Sequence, residues 1–168
     1  MKWLLACLAT FFAFGVSASA DPTPTRIVHM HVDSSFTDRE RLQIVQAVAT
    51  WNRTLNGQVR LEIERDEPSV IVVKRVPGSL PGPVPYAAAW TDFVGGNLIN
   101  VHDDVDSKLF VPVLLHELGH VLGAEHVEQT LMSPEVEPEY LCVDPTTGRH
   151  VAEHLRLNPS SLLTCKGF

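Results

Sequence analysis

Apolar and polar positions along the first half of the chain predict a sheet. Residues Arg26–Val32 alternate between the two classes, which is typical of a strand with one buried face. Val59–Glu64 and Val70–Val76 predict two more strands, and the second is nearly continuous in valine and isoleucine, as in a buried central strand. Leu98–His102 predicts the last strand.

A helical period separates the first two strands. Thr37-Asp38-Arg39-Glu40 has the form of a capping box, so we expect a helix to begin at Thr37. Asn56-Gly57 should end it. Four apolar residues recur at helical spacing and should face the sheet, namely Ile44, Val48, Trp51 and Leu55.

The middle of the chain is rich in turn formers. Pro77–Pro85 contains four prolines and two glycines and is interpreted as a stiff surface loop. Tyr86–Trp90 is then a candidate edge strand, with a covered loop as the alternative. Val94-Gly95-Gly96-Asn97 should form a turn.

The most informative segment runs from His116 to His126. His116 and His120 are four residues apart, so on a helix they share one face. Gly123 tolerates the left-handed conformation that ends many helices, which would let the chain turn and bring back His126. If the three histidines held a metal ion, Glu117 could reach a water in the fourth coordination position of that ion. Three histidines and one open position are typical of a catalytic zinc site.

This segment resembles the zinc-binding signature of the metzincin metalloproteases, HExxHxxGxxH followed by a Met-turn. Leu131-Met132-Ser133-Pro134 supplies the turn, so the resemblance covers residues 116 to 134. It implies an α+β fold: a single metzincin-like zincin domain with a mixed twisted sheet packed on a backing helix and an active-site helix. The Met-turn and a C-terminal helix would follow.

The resemblance also implies an activity, that of a secreted zinc-dependent endopeptidase acting on protein or peptide substrates. Glu117 would act as the base, taking a proton from the attacking water and delivering it to the leaving amine. The alternative is a catalytically silent or autoinhibited zinc- and peptide-binding module. The residues carried over are the Zn²⁺ ligands His116, His120 and His126, the base Glu117, and the structural residues Gly123 and Met132.

Details of the motif limit what the resemblance says about specificity. Pro134 stands where astacin-like and serralysin-like members have a tyrosine ligand, so the pattern is closest to matrixin-like members. In the family, the segment after the Met-turn, here Glu135–Val143, shapes a substrate pocket. Its sequence indicates no clear pocket chemistry, and the substrate-binding residues remain unknown.

The N-terminus has the pattern of a signal peptide over residues 1–20. Lys2 precedes the apolar Leu4–Val16, and Ala18-Ser19-Ala20 fits a cleavage site before Asp21. We therefore expect a secreted or periplasmic domain of residues 21–168, with no stable membrane anchor after cleavage. Because no prodomain is expected, latency would come from the compartment, an inhibitor or self-association.

Charge and cysteine content narrow the function further. The chain carries a formal net charge of −7 and no basic stripe, so nucleic acid is not an expected partner. Of its three cysteines, Cys7 would leave with the signal peptide. Cys142 and Cys165 remain, and two cysteines in an exported chain are expected to form a disulfide.

Three other clusters could hold metal, but each has a simpler interpretation. His29 and His31 share a strand face, where ordinary surface residues are expected. An aspartate cluster, formed by Asp103, Asp104 and Asp106, could bind calcium, but we favour an interaction with the N-terminus of the next helix. His150-Val151-Ala152-Glu153-His154 has the inverted zinc pattern. No acidic residue follows it to supply a further ligand, which favours an amphipathic helix beginning at Asp144-Pro145.

Overall fold

The computed structural model describes residues 26–64, 71–77, 88–93 and 97–166, which contain five strands and three α-helices. The predicted signal peptide and most of the proline-rich loop lie outside these ranges. No helix within them is long and apolar enough to cross a bilayer. The elements are β1 (Arg26–Val32), α1 (Asp38–Leu55), β2 (Val59–Ile63), β3 (Ile71–Val76), β4 (Ala89–Asp92), β5 (Asn97–His102), α2 (Phe110–Val121), α3 (Pro145–Leu155) and a short 3₁₀ helix (Pro159–Ser161).

The strands form one mixed sheet in the order β2-β1-β3-β5-β4. The first four strands in this order pair in parallel, and β4 pairs antiparallel with β5. This confirms the predicted mixed sheet of an α+β fold. The predicted edge strand exists but lies at Ala89–Asp92, and Tyr86 is outside the described residues. The assignment of Asn97 to a turn was wrong, because this residue pairs with Ile71 as the first residue of β5.

Helix α1 begins and ends as its sequence predicts. The Thr37 side chain accepts a hydrogen bond from the Glu40 N–H, and the Glu40 side chain accepts from the Thr37 N–H. Asn56 ends the helix in the left-handed conformation, at φ 46°. The four predicted apolar residues are all buried. Local capping and one apolar face are therefore enough to define this helix.

Helix α2 lies inside the molecule, packed against α1 and close to β4. Every residue from Phe110 to Gly119 is buried, so this helix has no solvent-facing side over most of its length. The Trp51 Nε1–H of α1 donates to the Leu115 carbonyl at 3.0 Å in the buried interior. Side chains projecting from α2 are consequently held on a rigid support.

The C-terminal segment is attached to the core at several points. Asp144 caps α3, and Pro145 occupies its first turn, as predicted. Cys142 and Cys165 form the predicted disulfide, with their Cα atoms 6.1 Å apart. The Leu163 N–H donates to the Thr54 carbonyl of α1 at 2.9 Å. The tail is thereby held against both α1 and the segment that precedes α3.

Replacing Trp51 with phenylalanine should destabilise the fold by about 2 kcal/mol. The change removes a buried hydrogen bond and leaves a small cavity between α1 and α2. Urea unfolding measures the loss. Leu42→Ala, at an exposed position on α1, is the control and should change stability little. An equally small effect of Trp51→Phe would contradict a role for this contact in joining the helices.

Candidate metal centre

Helix α2 and the turn after it bring three imidazoles together. His116 and His120 lie one turn apart, with ring centroids separated by 4.7 Å. Gly123 follows the helix at φ +93°, a conformation that favours glycine. This turn returns the chain, so that the His126 ring lies 5.2 Å from His116 and 4.7 Å from His120. The structure thus places all three predicted ligands side by side.

The spacing of the three rings fits a zinc ion. The His126 Nε2 is 3.2 Å from the His116 Nε2 and 3.1 Å from the His120 Nε2. Nitrogens bound at 2.0–2.1 Å to one tetrahedral zinc lie roughly 3.4 Å apart. All three candidate ligand atoms lie within 4.8 Å of one another. The rings could therefore bind one ion with little movement.

Hydrogen bonds at the second ring nitrogens fix which nitrogen faces the centre. The His116 Nδ1 lies 2.9 Å from the Leu131 carbonyl, and the His120 Nδ1 lies 3.0 Å from the Ala124 carbonyl. A carbonyl only accepts, so each Nδ1 must donate, and each neutral ring keeps a lone pair on Nε2. His126 cannot donate one proton to both nitrogens with good geometry. Lone pairs converging in this way are stabilised by a cation.

Asp144 holds the backbone N–H of Leu131, the residue whose carbonyl orients His116. Its Oδ2 accepts the Leu131 N–H at 3.0 Å, while its Oδ1 accepts the N–H groups of Thr146 and Thr147 that begin α3. The Leu131 carbonyl in turn accepts from His116. The sequence predicted Asp144 only as a helix start. No local pattern connects it with the metal centre, because the connection passes through a backbone group.

The predicted Met-turn, Leu131–Pro134, packs directly against α2. Met132 is fully buried. A Cβ atom at Gly119 would overlap the Met132 sulfur and touch the Trp51 ring. Glycine in a helix interior costs about 0.5–1 kcal/mol relative to alanine, so this residue indicates a close approach. Gly119 was not predicted as a site residue, although a glycine in the middle of an apolar helix was an available signal.

Glu117 is buried, with 6 % of its surface exposed, and one partner holds its carboxylate. The Thr91 hydroxyl of β4 donates to the Glu117 Oε2 at 2.5 Å. Burial raises the pKa of Glu117 to about 7, and the Thr91 hydrogen bond partly opposes this rise. Thr91 is a site residue that the sequence did not reveal, because the contact joins the edge strand to α2.

Burial also keeps His116 and His120 neutral. It lowers the pKa of His116 to about 4, assisted by the positive charge that His120 would carry, while the bond to Leu131 acts in the opposite direction. Burial lowers the pKa of His120 as well. Both rings are therefore deprotonated at neutral pH, the form that binds metal.

The inverted zinc pattern does not form a second centre among the described residues, whose candidate metal groups leave out His150, Glu153 and His154. The His154 ring instead packs on Gly123, where a Cβ atom would overlap it. Gly123 is thus required both for its positive φ and for this packing. The sequence predicted the helix correctly but not the contact between its C-terminal end and the turn.

The histidines of β1 and the aspartates before α2 are the two other clusters that the sequence singled out. His29 lies near Glu62 and Glu64, but Arg60 pairs with Glu62 at 3.1 Å, and we assign no metal there. His31 is not part of this group. In the aspartate cluster, Asp106 accepts the Lys108 N–H just before α2. The first turn of α2 contains no acidic residue and has no side-chain cap, so no carboxylate caps the helix directly.

Comparisons with known proteins give partial matches of fold. No protein-family profile and no curated protein matches the sequence. High choriolytic enzyme 1, a hatching enzyme zinc-protease from Oryzias latipes (medaka fish), is similar at a TM-score of 0.43 and 20 % identity. The match covers 62 % of this chain and 46 % of that one. Myroilysin is similar at a TM-score of 0.45 and 16 % identity, and the match covers 61 % of this chain and 50 % of that one. This chain therefore spans about half the length of either neighbour, and the resemblance to matrixin-like members stays a prediction.

Glu117→Gln should stabilise the metal-free protein in a pH-dependent way. The folded state holds the Glu117 proton up to a pKa of about 7, against an ordinary 4.5, so wild type loses stability as pH rises between these values. Glutamine has no proton to lose, and the histidine shifts cancel in the comparison. We expect the free energy of unfolding of Glu117→Gln to equal that of wild type at pH 4.5 and to exceed it by about 3 kcal/mol above pH 7.

Urea unfolding of both proteins in the presence of a chelator, at pH 5 and pH 8, measures this difference. Glu135→Gln, at an exposed position, serves as the control and should show no such trend. An advantage that stays constant with pH would show that burial does not raise the pKa of Glu117.

Asp144→Asn should weaken zinc binding by about 10- to 100-fold, because it disturbs the backbone of Leu131, whose carbonyl orients His116. Competition with a chromophoric chelator measures the affinity. Asn158→Ala removes a helix cap at the 3₁₀ helix instead and should leave zinc affinity unchanged. If Asp144→Asn bound zinc as tightly as wild type, the hydrogen bond from Asp144 to the Leu131 backbone would not control the ligand geometry.

Proposed function

We propose that this protein is a secreted zinc-dependent endopeptidase. One observation carries the proposal: three imidazole Nε2 atoms converge, with two of the pairs at 3.1–3.2 Å, and the buried Glu117 lies on α2 together with two of these histidines. Three nitrogen ligands leave a position open, as in catalytic rather than structural zinc sites. His116, His120 and His126 would hold the ion.

The chemistry divides between the ion and the chain. Zinc in such a site supplies a Lewis acid that acidifies water and polarises a carbonyl group. Glu117 takes the proton of the attacking water and passes it to the leaving amine. Burial raises its pKa to about 7, and a group that must both accept and return a proton works best near the working pH.

Thr91 would position the base and the edge strand would receive the substrate. The Thr91 hydroxyl holds the Glu117 Oε2, which leaves Oε1 for proton transfer. Strand β4 pairs with β5 on one side and is the last strand of the sheet. An extended peptide could add to its other side through backbone hydrogen bonds. Such a peptide would pass next to the carboxylate that Thr91 holds.

The proposed setting is outside the cytoplasm. Residues 1–20 would direct export, and residues 21–168 would form the mature catalytic domain. The Cys142–Cys165 disulfide supports an oxidising compartment. Proteins or peptides are the proposed substrates, and an inhibitor or self-association could restrain the enzyme.

Cleavage of an unfolded generic protein tests the proposal. Glu117→Ala should lower turnover by about 10²- to 10⁴-fold while the protein still binds one zinc, because the ligands remain. A chelator should abolish cutting by wild type, and added zinc should restore it. Cutting by Glu117→Ala at the wild-type rate would overturn Glu117 as the base. No cutting by either protein, with one zinc bound per chain, would favour the binding module.

A further inference from the structure

A recess of about 870 Å³ opens beside the imidazole cluster and shares His120 and His126 with it. Its walls come from the start of β1, the residue after β4, the start of β5, the turn after α2 and the C-terminal end of α3. We call it the arginine recess and define it by Arg26, Phe93, Glu125, His154 and Arg156. No residue of Glu135–Val143 lines it, so it is distinct from the segment expected to shape a substrate pocket.

The recess presents solvent-exposed hydrogen-bond donors that have no protein partner among the described residues. Among the residues that the structure describes, Arg26, Arg156 and the His154 ring have no ion pair and no side-chain hydrogen bond. Glu125 is the one carboxylate among the described residues of the wall. Two guanidinium groups against one carboxylate give the wall a positive charge in a chain whose formal net charge is −7. An anionic group is the complementary ligand, since the guanidinium fork matches a carboxylate.

The other walls indicate a side chain of a peptide rather than a free ion. Phe93 is 57 % exposed and adds an apolar surface beside the donors. The packing of His154 on Gly123 fixes the end of α3 against the turn that carries His126. A peptide whose scissile bond lies at the imidazole cluster would therefore reach the recess with a residue close to that bond.

We propose that the arginine recess selects substrates that carry an aspartate or glutamate near the scissile bond. The proposal rests on the endopeptidase function proposed above and adds a substrate class to it. Arg26 and Arg156 are the specificity-determining residues, and Glu125 limits the selectivity by repelling the same group.

An alternative role for Arg156 predicts a different result. Arg156 lies at the C-terminal end of α3, where a cation interacts favourably with the helix dipole. If that were its whole role, replacing Arg156 would change stability and leave substrate choice untouched. Arg26 belongs to another element, so its replacement tests the recess separately.

Pairs of fluorogenic peptides that differ only by glutamate or glutamine, at each position around the cleaved bond, test the proposal. At one position, wild type should cleave the glutamate peptide with a kcat/KM about tenfold higher or more, as expected for a charge-assisted hydrogen bond. Arg26→Gln and Arg156→Gln should each reduce this ratio several-fold, and Glu125→Gln should increase it. Arg149→Gln, on α3 but outside the recess, should leave the ratio unchanged.

A second readout separates this proposal from the endopeptidase function. The same peptides are titrated against zinc-loaded Glu117→Ala protein, and fluorescence anisotropy measures their affinity. Suppose that wild type cuts no peptide, but that the Glu117→Ala protein binds the glutamate peptides more tightly than the glutamine peptides. If adding Arg156→Gln removes that difference in affinity, the endopeptidase proposal fails and the recess proposal stands. Equal use of both peptides by wild type, or a ratio unchanged in both arginine variants with their melting temperatures retained, would overturn the recess.

Discussion

The backbone of Leu131 connects the parts of this molecule that must act together. Its carbonyl accepts from the His116 ring and its N–H donates to Asp144, which also begins α3. The two successive peptide planes that meet at Leu131 thereby link a ring orientation, the position of the Met-turn and the start of a helix. Met132 follows immediately and fills the space that Gly119 leaves open. The candidate centre is therefore part of the packing and is not an addition to its surface.

Burial of α2 accounts for the electrostatics of the centre. The same low-polarity surroundings raise the pKa of Glu117 and lower those of His116 and His120. The opposite directions follow from one cause, because burial disfavours whichever form carries charge. Neutral imidazoles and a carboxylate that exchanges its proton near neutral pH are the states that the proposed reaction needs.

Elements with local signals could be predicted closely. The capping box and Asn56-Gly57 gave both ends of α1, and Asp144-Pro145 gave the start of α3. The edge strand was displaced by three residues at its start, and Asn97 was assigned to a turn. Both errors arose where pairing with a neighbouring strand, which no local pattern records, decides the boundaries.

The spacing from His116 to His126 determined by itself that three imidazoles share one site, because helix periodicity and a glycine turn are local properties. The pairing of Cys142 and Cys165 was similarly available from the cysteine count. Only the tertiary structure decided that Thr91 holds Glu117, that Asp144 acts through Leu131, and that His154 packs on Gly123. These contacts join residues 13 to 31 positions apart or lie on different elements, and chain packing, which periodicity does not encode, brings them together.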